Sequence, residues 1–196
     1  MKIKAILVSQ PKPESEKSPY YEIAKKFNIK IDFKKFFKNQ EVSTKEFRKE
    51  KVNLKEHTAI IFASKNTIDH FFKLCIATKL EIPETLKYYC LSEPTALYLQ
   101  NYVQYRKRKV FFSTQGFSDL LAKIVKSNEE NYLLPCSDLY NPEITNILDA
   151  NNIKYKKAVV YKNVSEDLSN INIYSYDMLV FFSPNGIKSL FQNFPD

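Results

Sequence analysis

The 196 residues are 44% apolar, and 30 Lys and Arg against 22 Asp and Glu give a net charge of +8, so the chain is basic and long enough for one large core or two small ones. Its two glycines, Gly116 and Gly186, cannot build a G-x-G-x-x-G turn, a Walker A loop or a G-x-S-x-G elbow, which excludes a glycine-rich nucleotide cradle and α/β-hydrolase chemistry. The two histidines and three cysteines fall in no C-x-x-C or H-E-x-x-H pattern, the apolar runs stay far below the ~20 residues of a membrane helix, and three cysteines without a signal peptide fit a reducing, cytoplasmic setting.

In chain order, residues 3–9 form an apolar run that predicts a first strand. A polar, Pro-rich stretch follows, and Ser18-Pro19 marks a helix start whose Tyr20, Ile23, Ala24 and Phe27 share one face. Residues 29–37 read as a strand, and Ser43 with Glu46 as a capping box. Residues 58–64 predict a buried parallel strand, followed by a helix with Ile68, Phe71, Phe72, Cys75 and Ile76 on one stripe. Strands at 88–91, 110–112, 132–134, 153–161 and 178–182 alternate with helices that start near Pro94, Phe117, Pro142 and Ile187. Such alternation predicts doubly wound parallel sheets, and the strand number suggests two α/β units. Cys75 and Cys90 read as core packing, and neither His57 nor His70 has a partner at ligand spacing.

The segment AIIFASKNTI at 59–68 returns as MLVFFSPNGI at 178–187, with Phe, Ser, Asn and Ile identical at a constant offset of 119 residues. Strand and helical face both coincide, which favours duplication over chance. The element that follows the first copy would fall beyond residue 196 in the second, so the sequence reads as C-terminally incomplete by at least one βα unit.

IIFASKNTI (60–68), SEPTAL (92–97), AVVY (158–161) and VFFSPNGI (180–187), in this order and spacing, resemble the uroporphyrinogen-III synthase family. The resemblance implies two doubly wound parallel-sheet α/β domains joined by a two-stranded ladder, the second inserted in the first. The first would comprise residues 1–35 plus 158–196, the second 36–157, with 29–37 and 153–161 as the connecting strands. It further implies a cytoplasmic, monomeric lyase that needs no cofactor or metal. Such an enzyme cyclises the linear tetrapyrrole hydroxymethylbilane to uroporphyrinogen III, with inversion of the last pyrrole ring and loss of water. The substrate would be a small molecule received from hydroxymethylbilane synthase, with no nucleic-acid or membrane partner.

The task is then mainly one of orientation. The substrate's carboxylates suit helix N-termini at the carboxyl ends of parallel strands. The corners at Ser64-Lys65-Asn66, Ser92 to Thr95, Ser113-Thr114, Ser137-Asp138 and Ser183-Pro184-Asn185 are expected to face an interdomain cleft as a set. Ser64, Lys65, Asn66, Thr95, Ser183, Asn185 and Gly186 are the expected substrate-binding residues. Tyr161, at the family's strand-end tyrosine, is the expected catalytic group, its phenol assisting loss of the hydroxyl. Gln10 stands where the family often has arginine, and Ser92-Glu93 where it often has glycine. These departures leave open a non-catalytic tetrapyrrole- or small-anion-binding module of the same fold. The basic run Arg106-Lys107-Arg108-Lys109 leaves open, more weakly, a nucleic-acid binder.

Overall fold

A computed structural model describes residues 3–115, 117–127, 129–140 and 142–195. Its strands and α-helices in chain order are β1 (Ala5–Val8), α1 (Pro19–Phe27), β2 (Lys30–Phe33), β3 (Phe37–Glu41), α2 (Thr44–Lys49), β4 (Ala59–Phe62), α3 (Lys65–Thr78), β5 (Lys87–Cys90), α4 (Glu93–Tyr98), β6 (Val110–Phe112), α5 (Phe117–Lys126), β7 (Tyr132–Ser137), α6 (Pro142–Ala150), β8 (Tyr155–Ser165), β9 (Met178–Val180) and α7 (Pro184–Asn193). Two compact units result, one of residues 1–39 with 163–196 and one of residues 40–162. Among the described residues no helix is long and apolar enough to cross a membrane.

The unit of residues 40–162 is built on the strand order β8-β7-β4-β5-β6, with β3 beside β8. β7-β8, β4-β7, β4-β5 and β5-β6 all pair in parallel. Every residue of β4 is buried, because helices cover both faces of the sheet. Ile60 and Phe62 face a core with Ile68, Phe71 and Cys75 of α3 and Ala96 of α4. Ala59 and Ile61 face the opposite core, with Leu120 and Ile124 of α5 and Leu148 of α6. The period of two along one strand thus supplies both layers. Each such large side chain, fully buried, contributes about 1.5–3 kcal/mol. Cys75, Cys90 and Cys136 are buried and free, and burial pushes the Cys75 and Cys90 thiols up to about 12.

The unit of residues 1–39 and 163–196 holds a three-stranded parallel sheet, order β2-β1-β9. Leu7, Phe36 and Leu168 are its buried apolar centre, with Leu179, Phe181, Leu190 and Phe194 packed around them. β9 is an outer strand, and beside it Met178, Phe182, Ile187 and Phe191 stay 40–64% exposed.

Three expectations change. Residues 29–37 are not one strand: 30–33 pair with β1, and β3 begins only at Phe37. The stripe on α1 buries no residue, with Ile23 41% and Phe27 58% exposed. Ile76 leaves its stripe at 77% exposure, because it lies next to Cys75 on the helix and turns beyond the core-facing arc.

Candidate functional site

In the unit of residues 40–162 the chain runs from β4 outward through β5 to β6, then returns to β7 on the other side of β4. This reversal places a crevice outside the carboxyl ends of β4 and β7, where open α/β sheets bind ligands. At the end of β4, Ser64 is extended (φ −158°, ψ 163°) and its hydroxyl accepts the Thr67 amide at 3.3 Å. Ser64 and Thr67 hydroxyls also meet at 2.9 Å. The cap starts α3 and leaves its other first-turn amides at the strand end. Lys65 and Asn66 are exposed there, and the Lys65 ammonium lies 5.4 Å from the centre of the Tyr98 ring.

Ser92 repeats the device, extended (φ −151°, ψ 157°), with the Thr95 amide at 3.4 Å and the Thr95 hydroxyl at 2.9 Å. Thr95 is only 5% exposed, so its hydroxyl serves the corner itself. Asp69, one turn into α3, accepts the Tyr98 hydroxyl at 2.8 Å and the Tyr102 hydroxyl at 2.6 Å. The hydrogen bond to Asp69 pushes the Tyr102 phenol up to about 12. At the next corner the Gln115 amide donates to Ser113.

Tyr161 lies on β8 opposite Ser137, just after a register shift in β7, and its carbonyl accepts the Asp138 amide at 3.2 Å. Its ring stacks on His70 of α3, with centroids 4.9 Å apart and planes 27° from parallel. The Tyr161 hydroxyl has no hydrogen-bond partner among the described residues. His70 also lines a cavity of about 390 Å³ with Glu41, Glu46, Lys73 and Val160. Burial lowers its pKa, and the Glu41–Lys73 ion pair beside it (2.6 Å) acts in opposite senses through its two charges. Nothing in the local sequence couples His70 to Tyr161, which lies 91 residues away. Only the sheet order brings them together.

In the unit of residues 1–39 and 163–196, Ser183 caps α7 (φ −155°, ψ 153°) and accepts the Gly186 amide at 3.4 Å. Asn185 is half-buried and Gly186 buried. A β-carbon on Gly186 would stand 3.1 Å from Phe181 Cδ1 and 3.4 Å from Ser9 Oγ. A second feature of this unit is absent from the motifs. A cavity of about 470 Å³ is lined by Lys12, Tyr21, Asp32, Phe33, Lys34 and Tyr176, among others. Asp32 is engaged by Lys30 at 2.7 Å and by the Tyr176 hydroxyl at 2.8 Å. Burial alone would raise its pKa, and these two hydrogen bonds bring it below the usual carboxylate value. Lys12 and Lys34 form no ion pair among the described residues. Lysines scattered along a lysine-rich chain gave no signal that singled these two out.

The remaining charged and polar candidates are local. In the basic run, Arg106 donates to Gln104 at 3.1 Å and Lys109 to the Glu84 carbonyl. His57 is buried with neither ring nitrogen hydrogen-bonded; the Asn131 main chain approaches it without reaching that geometry.

Comparison with known proteins adds a family. The model of the family described as uroporphyrinogen-III synthase HemD matches residues 35–196. A mutant uroporphyrinogen III synthase of the extremely thermophilic bacterium Thermus thermophilus superposes with a TM-score of 0.63 at 10% identity, over 97% of this chain and 77% of that one. The uroporphyrinogen-III synthetase of Helicobacter pylori gives 0.59 at 18% identity, over 97% and 78%. At such identities the likeness is one of fold. No match is found among curated protein sequences.

Proposed function

Because the chain belongs to the uroporphyrinogen-III synthase family, we propose that it is a cyclising lyase acting on hydroxymethylbilane, which it closes to uroporphyrinogen III with inversion of the last pyrrole ring and loss of water. The observation that carries the reading is the family match over residues 35–196.

The substrate's many carboxylates need fixed donors, and its closure needs one geometry held against others. The corners capped by Ser64 and Ser183 support this reading. Each presents first-turn amides and a favourable helix dipole at the carboxyl end of a parallel strand. We assign Ser64, Lys65, Asn66, Ser183 and Asn185 to carboxylate binding, and Thr95 and Gly186, whose amides are taken by the caps, to shaping their corners. Lys12 and Lys34 add attraction for the anion in place of the arginine that Gln10 does not supply. Tyr161, with its hydroxyl free of protein partners among the described residues, donates a hydrogen bond to the departing hydroxyl. As that carbon–oxygen bond breaks, the leaving oxygen takes the proton of the phenol and departs as water, and the proton released when the new carbon–carbon bond closes the ring restores the phenol. The same reading takes the enzyme as a cytoplasmic monomer that receives its unstable substrate directly from hydroxymethylbilane synthase. Fractionation, sedimentation and the isomer yield with the two enzymes mixed or separated check those three points.

The deciding experiment supplies enzymatically made hydroxymethylbilane to the protein and separates the isomers formed. Uroporphyrinogen III in excess over the spontaneous type I product is expected, whereas type I alone overturns the reading. Tight tetrapyrrole binding without type III product would identify a non-catalytic binding module. For Tyr161→Phe, a kcat lower by about 10²-fold is expected if the phenol assists the departure, and an unchanged kcat removes that role.

A further inference from the structure

We infer that His70 is a positioning residue for Tyr161, holding the phenol at the angle from which it serves the departing hydroxyl. The inference rests on the proposed role of Tyr161 and adds a residue that neither the motifs nor the family match single out.

A phenol that must donate to a bound substrate keeps its O–H free of protein acceptors. The Tyr161 hydroxyl has no hydrogen-bond partner among the described residues, so its orientation must come from its ring. One constraint is the core that contains Val160 and the buried face of α3, against which the ring packs. The other is the imidazole of His70, which stacks on it at 4.9 Å and 27°. Neither residue makes another ring contact among the described residues. His70 is in turn fixed by its helix, because Ile68, Phe71, Phe72 and Cys75 of α3 are at most 3% exposed. A half-buried side chain on a rigid helix therefore clamps a half-buried side chain on a strand. Burial lowers the pKa of the imidazole and so favours the uncharged ring, which suits a flat stack better than a hydrated cation would. The cavity of about 390 Å³ that His70 lines is the space into which the imidazole swings if the Tyr161 ring is removed.

The test compares His70→Leu, His70→Phe and Tyr161→Phe in the full chain, with hydroxymethylbilane as substrate. His70→Leu is expected to lower kcat about three- to tenfold with little change in KM, as for a group acting in the transition state rather than in substrate binding. His70→Phe, which can still stack, is expected to restore kcat. Adding His70→Leu to Tyr161→Phe should cost nothing further, since the two residues act as one unit. If Tyr161→Phe loses kcat and His70→Leu does not, the positioning role is wrong and the role of Tyr161 survives. If Tyr161→Phe is fully active, both fall. A measurement free of activity stands beside these. The His70 ring protons should show a ring-current shift that disappears in Tyr161→Leu; resonances that do not move would overturn the stack itself.

Discussion

Ser64 and Ser183 stand 119 residues apart in two different compact units, yet they make the same turn. Both are extended at nearly the same dihedrals, φ −158° and ψ 163° against φ −155° and ψ 153°. Both accept the amide three residues on, from Thr67 at 3.3 Å and from Gly186 at 3.4 Å. Of the two residues between, the second is Asn in both copies, Asn66 and Asn185, while Lys65 and Pro184 differ. The repeated sequence thus encodes a repeated strand-to-helix corner.

That equivalence predicts matched losses. Ser64→Ala and Ser183→Ala should each cost about 1 kcal/mol in denaturant unfolding, the usual value of an N-cap. Ser64→Asp and Ser183→Asp should keep that stability, because aspartate caps as well and favours the helix dipole. If these corners hold substrate carboxylates, however, the aspartates place a like charge against them, and KM should rise while stability stays. An unchanged KM in both Asp variants would leave the serines as caps alone.

These corners could be read from the amino acids because each lies in a short window. The run AIIF at 59–62 is apolar throughout, since both sheet faces are covered, and Ser-x-Asn follows after Ala63. The edge strand β3, FKNQE, carries one apolar side chain and four exposed residues, so no hydrophobic period announces it. Its start merged with β2 in the sequence for that reason. The stripe of α1 was visible but its burial was not, because the period of a helix says which residues share a face and not whether anything covers that face. The Tyr161–His70 stack and the Lys12–Lys34 cavity depend on strand order and on chain return, which no local window contains.

Gly186 is held by a close approach. Alanine there would gain helix propensity worth roughly 0.5–1 kcal/mol, but its β-carbon would press on Phe181 at 3.1 Å. Phe181 has little room to yield, because its ring packs edge-on against buried Phe36 at 5.5 Å. Overpacking of about 1–3 kcal/mol should therefore win. Gly186→Ala is expected to be destabilised by about 1 kcal/mol in thermal or denaturant unfolding, and a more stable variant would show that the Phe181 ring moves freely.

Acid sensitivity has an assignable source in Glu46. Its carboxylate accepts the Lys162 ammonium at 2.7 Å and closes the Ser43 capping box, with the Ser43 amide at 3.2 Å and hydroxyl at 3.0 Å. The Lys162 hydrogen bond first, then those of Ser43, lower its pKa from 4.5 to about 2. A carboxyl depressed by folding stabilises the folded state fully above its unfolded pKa and loses that contribution as pH falls. Wild type should therefore lose stability more steeply than Glu46→Gln as pH falls from about 4.5 to about 2. Above about pH 6 the variant should be the less stable of the two by a constant amount. Parallel curves across the acid range would remove Glu46 as a source. Because the site is solvent-exposed, added salt should narrow the difference.

Lys12 and Lys34 offer the sharpest test of how the substrate's charge is met. They line one cavity, and the carboxylate that shares it, Asp32, is already occupied by Lys30 and Tyr176 at 2.7 and 2.8 Å. Asp167 contributes some field at Lys34 but forms no ion pair with it. Asp32 thus leaves both ammonium groups free to attract an anion, and because Lys12 is exposed and Lys34 half-buried, each contact is worth little by itself. Lys12→Gln and Lys34→Gln should each raise KM about two- to fivefold, in line with exposed charge pairs of about 0.2–1 kcal/mol, and should leave kcat unchanged. The double variant should multiply the two effects and flatten the dependence of KM on ionic strength, because the lost attraction is the part that salt screens. A KM indifferent to both substitutions at low salt would mean that the substrate's carboxylates are held by the capped corners without these lysines.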